Sequence, residues 1–445
     1  MKPSNPLVSV LLFISIIFTN TTYAQKIQEA LTKQEQEITI DAISNKLQTT
    51  YVFPEVAKEM SNLMHKNFKN GDYNAFKKPH DFANQLTTDL VSVSNDKHIR
   101  VTHTPIVKAP RRTKRRPQDS LTTVNQYLNG LKRDNFGFKE LKILDGNIGY
   151  LDLRSFSDAR YGELTAVSAM NFLSNSDAII IDLRKNGGGN PNMIQLLTSY
   201  LYGSTPIHLN TFYWRPTDSH SETWTLSTVK GERSPDTPVY ILTSNRTFSA
   251  AEEFSYNLKH LNRAVLIGET TGGGAHPGGP VKATEKFTIW VPSGRAINPI
   301  TKTNWEGTGV TPHINVSSDK ALETAQIKAI ESLMHTTKDS KKLAYYRWEL
   351  TSLKSRLNPI DIEKSTIKRY LGRYNQRHIT TEKNKLFYQN GKGKKYELIP
   401  LGKKVFALKG WSAFRLRFIM EKESILELEI YSNTGYSNSI GKTSN

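Results

Sequence analysis

The sequence predicts an α/β protein with a helical N-terminal part and a small antiparallel β module at its C-terminus. The α/β prediction rests on apolar, strand-like runs that alternate with helical segments between residues 140 and 320. The helical prediction rests on apolar residues at three- and four-residue spacing before residue 105. The β module is predicted from short alternating runs, separated by Gly, Asn and Lys, after residue 365.

Composition narrows the class of protein. The chain has 445 residues, of which 37% are hydrophobic and 23% are charged, which is typical of a folded protein. It contains no Cys, which excludes disulfides, iron–sulfur clusters, thiolate zinc sites and a cysteine nucleophile. No HExxH or comparable pair is present, so neither a metal nor a cofactor is expected. The formal charge of +19 predicts attraction to anionic surfaces or polymers.

The N-terminus has the pattern of a secretory signal peptide. Lys2 supplies a positive charge, residues 8–18 are apolar, and Ala24 ends a small-residue cleavage site. The alternative, an uncleaved anchor, would need about 20 apolar residues. We therefore expect export to a periplasm or beyond, and no nucleic-acid partner.

Changes of sequence character divide the chain into predicted segments. These are a signal peptide 1–24, a helical subdomain 25–105, a basic linker 106–139, an α/β core 140–335, a helical linker 336–364 and a β module 365–445. Within the core, a strand is expected at 147–153, and strands buried on both faces are expected at 178–183, 238–243 and 264–268. Helices are expected between them at 164–173, 190–201 and 249–260, with a further helix at 320–337.

The linker contains the most basic stretch of the chain. Its six cationic residues are Lys108, Arg111, Arg112, Lys114, Arg115 and Arg116. Two interpretations stay open: a solvated loop, or a patch that binds an anionic polymer or an anionic envelope surface.

The strongest chemical signal is Ser249. A predicted buried strand ends at Thr243 and a helix begins near Ser249, so the hydroxyl would lie at a helix N-terminus. Backbone N–H groups and the helix dipole favour negative charge there, and an alkoxide or an oxyanion could be stabilised. The alternative is a plain N-cap, with Glu252 completing a capping box. The GxSxG signature of α/β-hydrolases is missing.

A glycine-rich turn is the second signal. Gly187, Gly188 and Gly189 follow the predicted strand at 178–183, and glycines let backbone N–H groups approach a ligand closely. The turn is neither a Walker loop nor GxGxxG. An oxyanion hole, a phosphate cradle and a sharp strand-to-helix turn all remain compatible with it.

Three weaker signals complete the set. His98 is a single histidine in the segment NDKHIRV, and it is a candidate catalytic residue only if the fold brings it near Ser249. His276 lies in a glycine-rich segment at 268–278, and Glu306 lies between Gly- and Pro-containing turns and could orient a histidine. A structural histidine and ordinary surface loops are the alternatives.

Together these motifs resemble the C-terminal processing (tail-specific) serine peptidase family. The segments that carry the resemblance are SNDKHIRV, AIIIDLRKNGGG, PVYILTSNRTFSAAEEF, IGETTGGGAHPG and EGTGVTPHI. The likeness is strongest to the branch without a PDZ module, which includes the tricorn core protease and interphotoreceptor retinoid-binding protein modules. It implies a crotonase-like (ClpP/crotonase superfamily) α/β core behind a helical N-terminal subdomain.

The resemblance also implies roles for particular residues. Ser249 is similar to the nucleophile, His98 to its general base and Glu306 to the acidic member of the relay. The oxyanion hole would be formed by the N–H groups of Gly188 and Ala250. Substrate contacts would come from Gly187, Gly189, Gly273, Gly274 and His276.

Two departures from the family pattern affect the expected mechanism. The turn 271–274 contains no Lys, which disfavours a Ser/Lys dyad. Lys97 stands where the tricorn-like relay has a Ser, so the link from His98 to Glu306 is open: direct, through another residue, or through water.

The resulting prediction is an exported serine peptidase that acts on proteins or peptides. A ligand- or peptide-binding module on the same scaffold, without turnover, is the alternative. A third hypothesis, compatible with either, is binding to polyanions through the basic stretch and the C-terminal module.

Overall fold

The computed structural model describes residues 30–105, 117–421 and 424–443. The predicted signal peptide, 1–24, and the basic stretch from Lys108 to Arg116 lie outside the described residues. Within the described ranges, no helix combines the length and the apolar character that a membrane crossing requires.

The N-terminal subdomain is helical, as its periodicity predicts. It comprises α1 (Lys33–Thr50), α2 (Pro54–Asn70), α3 (Pro79–Ser94) and the short strand β1 (Arg100–His103). Thr32 and Glu35 form a reciprocal capping box at the start of α1, with N–H···O distances of 3.1 and 2.9 Å. The helices bury one core, which includes Leu47, Met60 and Leu86.

The α/β core contains a mostly parallel sheet covered on both faces. Its elements in chain order are α4 (Pro117–Arg133), β2 (Phe138–Leu144), β3 (Ile148–Leu153), α5 (Ala159–Leu173), β4 (Ala178–Asp182), α6 (Pro191–Tyr200), β5 (His208–Trp214), β6 (Ser219–Trp224), β7 (Val239–Thr243), α7 (Ala250–His260), β8 (Ala264–Gly268), β9 (Gly278–Lys282), β10 (Phe287–Pro292), β11 (Gly294–Ile297), β12 (Ile314–Asn315) and α8 (Ala321–Thr336). The main sheet has the order β12-β8-β7-β4-β3-β2, and only its edge strand β2 is antiparallel. Ile179 and Ile181 pack towards α5, α6 and α7, whereas Ile180 packs towards α8. This burial on both faces explains the continuous apolar runs.

Two smaller sheets join the core to its surroundings. β1 pairs with β10, which pairs with β9, so one strand of the helical subdomain is built into a sheet of the core. β11, β5 and β6 form the other sheet. Sequence patterns predicted none of the strands β5, β6, β9, β10 and β11. The stretch expected as a basic linker contains α4, because Val124, Leu128 and Leu131 recur at helical spacing.

The C-terminal part is an antiparallel meander, as expected. After α9 (Ser340–Leu357) and α10 (Lys364–Tyr370) come β13 (Gly372–Tyr374), β14 (Arg377–Glu382), β15 (Lys385–Asn390), β16 (Lys395–Pro400), β17 (Val405–Leu408), β18 (Trp411–Glu421), β19 (Ser424–Ser432) and β20 (Ser437–Gly441). Consecutive strands pair in sequence order. The N–H of Thr443 donates to the carbonyl of Arg373 at 2.9 Å, which brings the end of the meander back to its first strand. α9 contacts both neighbours: Leu353 packs in the core, and Trp348 Nε1 donates to Ser412 O at 3.1 Å.

Candidate active site

Ser249 occupies a strained position between a buried strand and a helix. β7 ends at Thr243 and α7 begins at Ala250, so Ser249 is the N-cap of α7. Its φ of 55° lies in the left-handed region, which costs a non-glycine residue about 1–3 kcal/mol. Its backbone N–H donates to the Glu252 carboxylate at 2.8 Å. The hydroxyl Oγ lies 3.0 Å from Nε2 of His98.

His98 reaches Ser249 from the other subdomain. It follows α3, which ends in a left-handed cap at Asn95. The backbone N–H of His98 donates to Asp96 Oδ1 at 3.0 Å, and its ring lies against Phe248 with centroids 4.7 Å apart. The side chain is 11% exposed, so the imidazole is shielded but reachable. The fold thus brings together two residues 151 positions apart in sequence.

Asp96 is the carboxylate next to His98. Its Oδ1 lies 3.6 Å from His98 Nδ1, and its Oδ2 lies 2.9 Å from Nδ1 of His276. The Tyr51 hydroxyl approaches the same carboxylate at 3.4 Å. Asp96 is fully buried. Sequence reasoning missed this residue, although its place two positions before His98 was a usable signal.

Glu306 contacts a different histidine from the one expected. Its Oε2 accepts a hydrogen bond from the Ala275 N–H at 2.5 Å and lies 3.4 Å from His276 Nδ1. His276 therefore lies between Glu306 and Asp96. The side chain of His276 is only 6% exposed, because it is packed between these two carboxylates. The expected substrate contact of His276 stays a prediction.

The two carboxylates have opposite electrostatic environments. Burial alone would raise the pKa of Asp96, but hydrogen bonds with His276 and His98 outweigh it and lower that pKa to about 2. Burial raises the pKa of Glu306, and the nearby negative charge of Asp96 raises it further. Asp96 is therefore the carboxylate that carries the charge beside His98.

This cluster also contains the donor types that a cation would use. Single atoms of Asp96, His276 and Glu306 lie within 4.8 Å of one another. However, His276 Nδ1 is already engaged with Asp96, and Glu306 already accepts from Ala275. Among the described residues, the other carboxylate oxygen of Glu306, Oε1, is buried and has no hydrogen-bond partner.

The glycine turn faces Ser249, and Gly188 is its point of closest approach. The φ of Gly188 is 110°, and a Cβ there would lie 2.8 Å from Ser249 Cβ and 3.0 Å from Ala250 N. A glycine is therefore required at this position. The Gly188 N–H donates to Asn186 Oδ1 at 2.9 Å, so it already has an acceptor.

The other predicted residues of this turn differ in their surroundings. Gly189 packs against Phe156, whose carbonyl oxygen would lie 2.1 Å from an added Cβ. Gly187 has open space around it. Ala250 provides the first N–H of α7, where backbone donors have no acceptor within the helix.

Glu252 links Ser249 to the glycine-rich segment after β8. Its carboxylate accepts from the N–H groups of Gly273 at 2.6 Å and Gly274 at 2.9 Å, and from the Thr271 hydroxyl at 2.5 Å. These contacts, with the one from Ser249, satisfy a fully buried carboxylate. A Cβ on Gly274 would lie 2.7 Å from His98 Cε1. Glu252 therefore does more than cap α7: it fixes the segment that packs against His98.

A serine hydroxyl, an imidazole and a carboxylate in series, beside a helix N-terminus, define the serine-hydrolase class of site. Comparison with known proteins shows which families parts of the chain resemble. Residues 147–316 match the model of peptidase family S41, and residues 22–131 match the model of the N-terminal domain of Peptidase_S41 in eukaryotic IRBP. The predicted resemblance to the C-terminal processing serine peptidases is confirmed.

Individual relatives are distant. A carboxyl-terminal-processing protease of Synechocystis is 30% identical over 128 residues, which is 28% of each chain. A probable CtpA-like serine protease of Staphylococcus epidermidis is 25% identical over 201 residues, which is 43% of this chain and 38% of that protein. The chain thus spans well under half the length of these relatives. A putative peptidase from Parabacteroides merdae has 18% identity and a TM-score of 0.46, over 66% of this chain and 96% of that one.

Proposed function

We propose that this protein is a serine peptidase in which Ser249 is the nucleophile and His98 is the general base. The observation that carries the proposal is the 3.0 Å contact between Ser249 Oγ and His98 Nε2. A serine hydroxyl is a weak nucleophile and needs a base within hydrogen-bond reach. The strained backbone at Ser249 is the kind of feature that concentrates at functional sites.

The proposed reaction follows from this pair. Ser249 Oγ attacks the carbonyl carbon of a peptide bond, and its proton passes to His98 Nε2. His98 then gives that proton to the departing amine, leaving an acyl-serine that water hydrolyses with His98 again as the base. The developing oxyanion would be stabilised by the Ala250 N–H and by the glycine turn at Gly188, whose N–H would have to be shared with Asn186.

We assign Asp96, rather than Glu306, as the carboxylate that orients His98. Asp96 is the charged, buried group beside His98 Nδ1, at 3.6 Å. Glu306 would influence His98 only indirectly, because it contacts His276, which in turn contacts Asp96. Under this assignment, the connection from His98 to Glu306 that Lys97 left open would run through two further side chains.

Two broader features belong to the same proposal. The crotonase-like assignment of the core rests on the family resemblance and on the mostly parallel sheet covered on both faces. Export rests on the N-terminal sequence pattern. Mass determination of the protein from the cells that make it would test export: we expect a mature chain that begins at Gln25, and an intact Met1 terminus would contradict it.

The activity is tested by labelling with a fluorophosphonate and by cleavage of an unfolded protein substrate. We expect the wild type to label and to cleave, and Ser249→Ala to do neither while keeping its melting temperature. Ser255→Ala is a matched control on the same helix, because its hydroxyl donates to Ala251 O at 2.8 Å and belongs to no part of the site. That control should keep both activities.

The alternative on this scaffold, a peptide- or ligand-binding module, gives a different result. In that case the wild type would neither label nor cleave, and binding of a peptide would survive Ser249→Ala. Full cleavage by Ser249→Ala would show that the nucleophile has been misassigned.

A further inference from the structure

The net charge of this protein is concentrated outside the α/β core. Residues 147–316 contain fourteen Lys and Arg and fourteen Asp and Glu, so the part that holds Ser249 is neutral. Residues 365–445 contain sixteen Lys and Arg against six Asp and Glu. More than half of the net charge of +19 therefore lies on the C-terminal meander.

Half of the carboxylates of this meander already have cationic partners. Lys385 and Lys409 both contact Glu397, at 2.6 and 2.9 Å. Arg417 contacts Glu429 at 3.3 Å, and Lys395 contacts Glu382. The pairing leaves a surplus of lysines with no acidic partner.

The surplus lysines lie in turns between strands. Lys383, Lys392, Lys403 and Lys404 are exposed, and within the described ranges none of them forms an ion pair with a carboxylate. Lys394 is also exposed and lies over the Tyr396 ring, 5.2 Å from its centroid. Separated cations in exposed turns are well placed to contact an external anion.

The meander topology fixes where these turns lie. Successive turns of an antiparallel meander alternate between its two ends. Lys383, between β14 and β15, and Lys403 with Lys404, between β16 and β17, therefore share one end, about 10 Å apart across the sheet. Lys392 and Lys394, between β15 and β16, lie at the opposite end.

This distribution favours one kind of partner. A single small anion could bridge few lysines about 10 Å apart. A flexible chain with repeated negative groups can follow the sheet and contact both ends. We infer that the C-terminal meander binds an anionic polysaccharide through Lys383, Lys392, Lys394, Lys403 and Lys404.

The test compares retention of two triple variants and the wild type on immobilised heparin, a sulfated polysaccharide. The sheet variant is Lys383→Gln, Lys403→Gln and Lys404→Gln. Its matched control is Lys58→Gln, Lys66→Gln and Lys69→Gln on α2, which removes the same charge from exposed lysines of the helical subdomain. Both variants should keep the melting temperature and the turnover of a short neutral peptide, because neither touches the site.

We expect the sheet variant to elute at clearly lower salt than the control. The slope of log affinity against log salt should fall by about one for each lysine that no longer binds the polymer. The inference is overturned if the two variants elute together. It is equally overturned if only neutralising Lys108 to Arg116 reduces retention, or if the sheet variant loses binding to phosphatidylserine vesicles but not to heparin.

Discussion

The two halves of the candidate site are built in different ways. The nucleophile half is one continuous segment, in which a buried strand, a short turn and a buried helix place Ser249. The base half consists of a turn after α3, in a subdomain whose core also includes Phe287, Ile289 and Val291 of β10. Contacts that join the two halves include the pairing of β1 with β10, the bond between Asp96 and His276, and a hydrogen bond of 2.5 Å from Lys97 Nζ to Gly272 O.

Ser249 is held in place by its own segment, whereas His98 reaches its position only when the helical subdomain docks against the core. The position of Ser249 is set by neighbouring backbone and by Glu252, so it should survive changes in the helical subdomain. The position of His98 depends on how that subdomain docks against the glycine-rich segment after β8. Variants in the base half should therefore reduce turnover without disturbing the α/β core. A base-half variant that also unfolds the core would contradict this difference between the two halves.

The largest effect is expected from His98→Ala. Removal of the base leaves Ser249 in place with nothing to accept its proton, and turnover should fall by about 10⁴-fold or more. His80→Ala is a suitable control, because that histidine belongs to the same subdomain and is 73% exposed. Steady-state kinetics and melting temperature should be measured together. Turnover retained by His98→Ala would remove His98 as the base.

A smaller but more discriminating effect is expected from Asp96→Asn compared with Glu306→Gln. Asp96 contacts His98 itself, so Asp96→Asn should lower kcat by about 10²–10⁴-fold with little change in KM. Glu306 contacts His276 instead, so Glu306→Gln should cost about tenfold or less. Asp96→Glu, which keeps the charge, should recover part of the loss. The reverse order of the two effects would return the role of the relay carboxylate to Glu306.

These residues also show how far sequence reasoning reaches. The strands and helices around Ser249 were predictable, because a strand buried on both faces and an adjacent amphipathic helix leave a local pattern. The glycine turn that contains Gly188 was also predictable, because three glycines directly follow a predicted buried strand. The meeting of His98 with Ser249 came from the family resemblance, since no local signal joins residues 151 positions apart.

The family resemblance pointed to Glu306, although Asp96 lies two residues before His98 and its contact with that histidine is local. That Glu306 contacts His276 instead depends on the path of the segment that contains His276, which no local pattern encodes. Strands such as β5 and β9 were missed because they are only partly buried, which weakens their periodicity. Sequence patterns thus identify what is locally encoded, whereas long-range docking needs coordinates.

The last prediction concerns stability within the nucleophile half. Glu253 follows Glu252 on α7 and is buried, and that burial raises its pKa to about 7, although a hydrogen bond from Asn210 opposes the shift. Below the ordinary pKa of a glutamate, both the folded and the unfolded chain are protonated at this position. As pH rises towards 7, only the unfolded chain loses its proton readily, so the free energy of unfolding falls. The loss contributed by this group should reach roughly 3 kcal/mol by pH 8.

Glu253→Gln should remove that part of the pH dependence. The Gln carbonyl can still accept from Asn210, which donates to Glu253 Oε1 at 3.2 Å, so the variant should differ from the wild type by less than about 1 kcal/mol at pH 5 and be clearly the more stable of the two at pH 8. Melting temperatures from pH 5 to pH 8 would check this, with turnover expected to stay within a few-fold of the wild type. Parallel curves for the two proteins would mean that Glu253 is charged in the folded state. A buried acid one residue from Glu252 would then be part of the electrostatics around Ser249, and the nucleophile half would depend on pH in its own right.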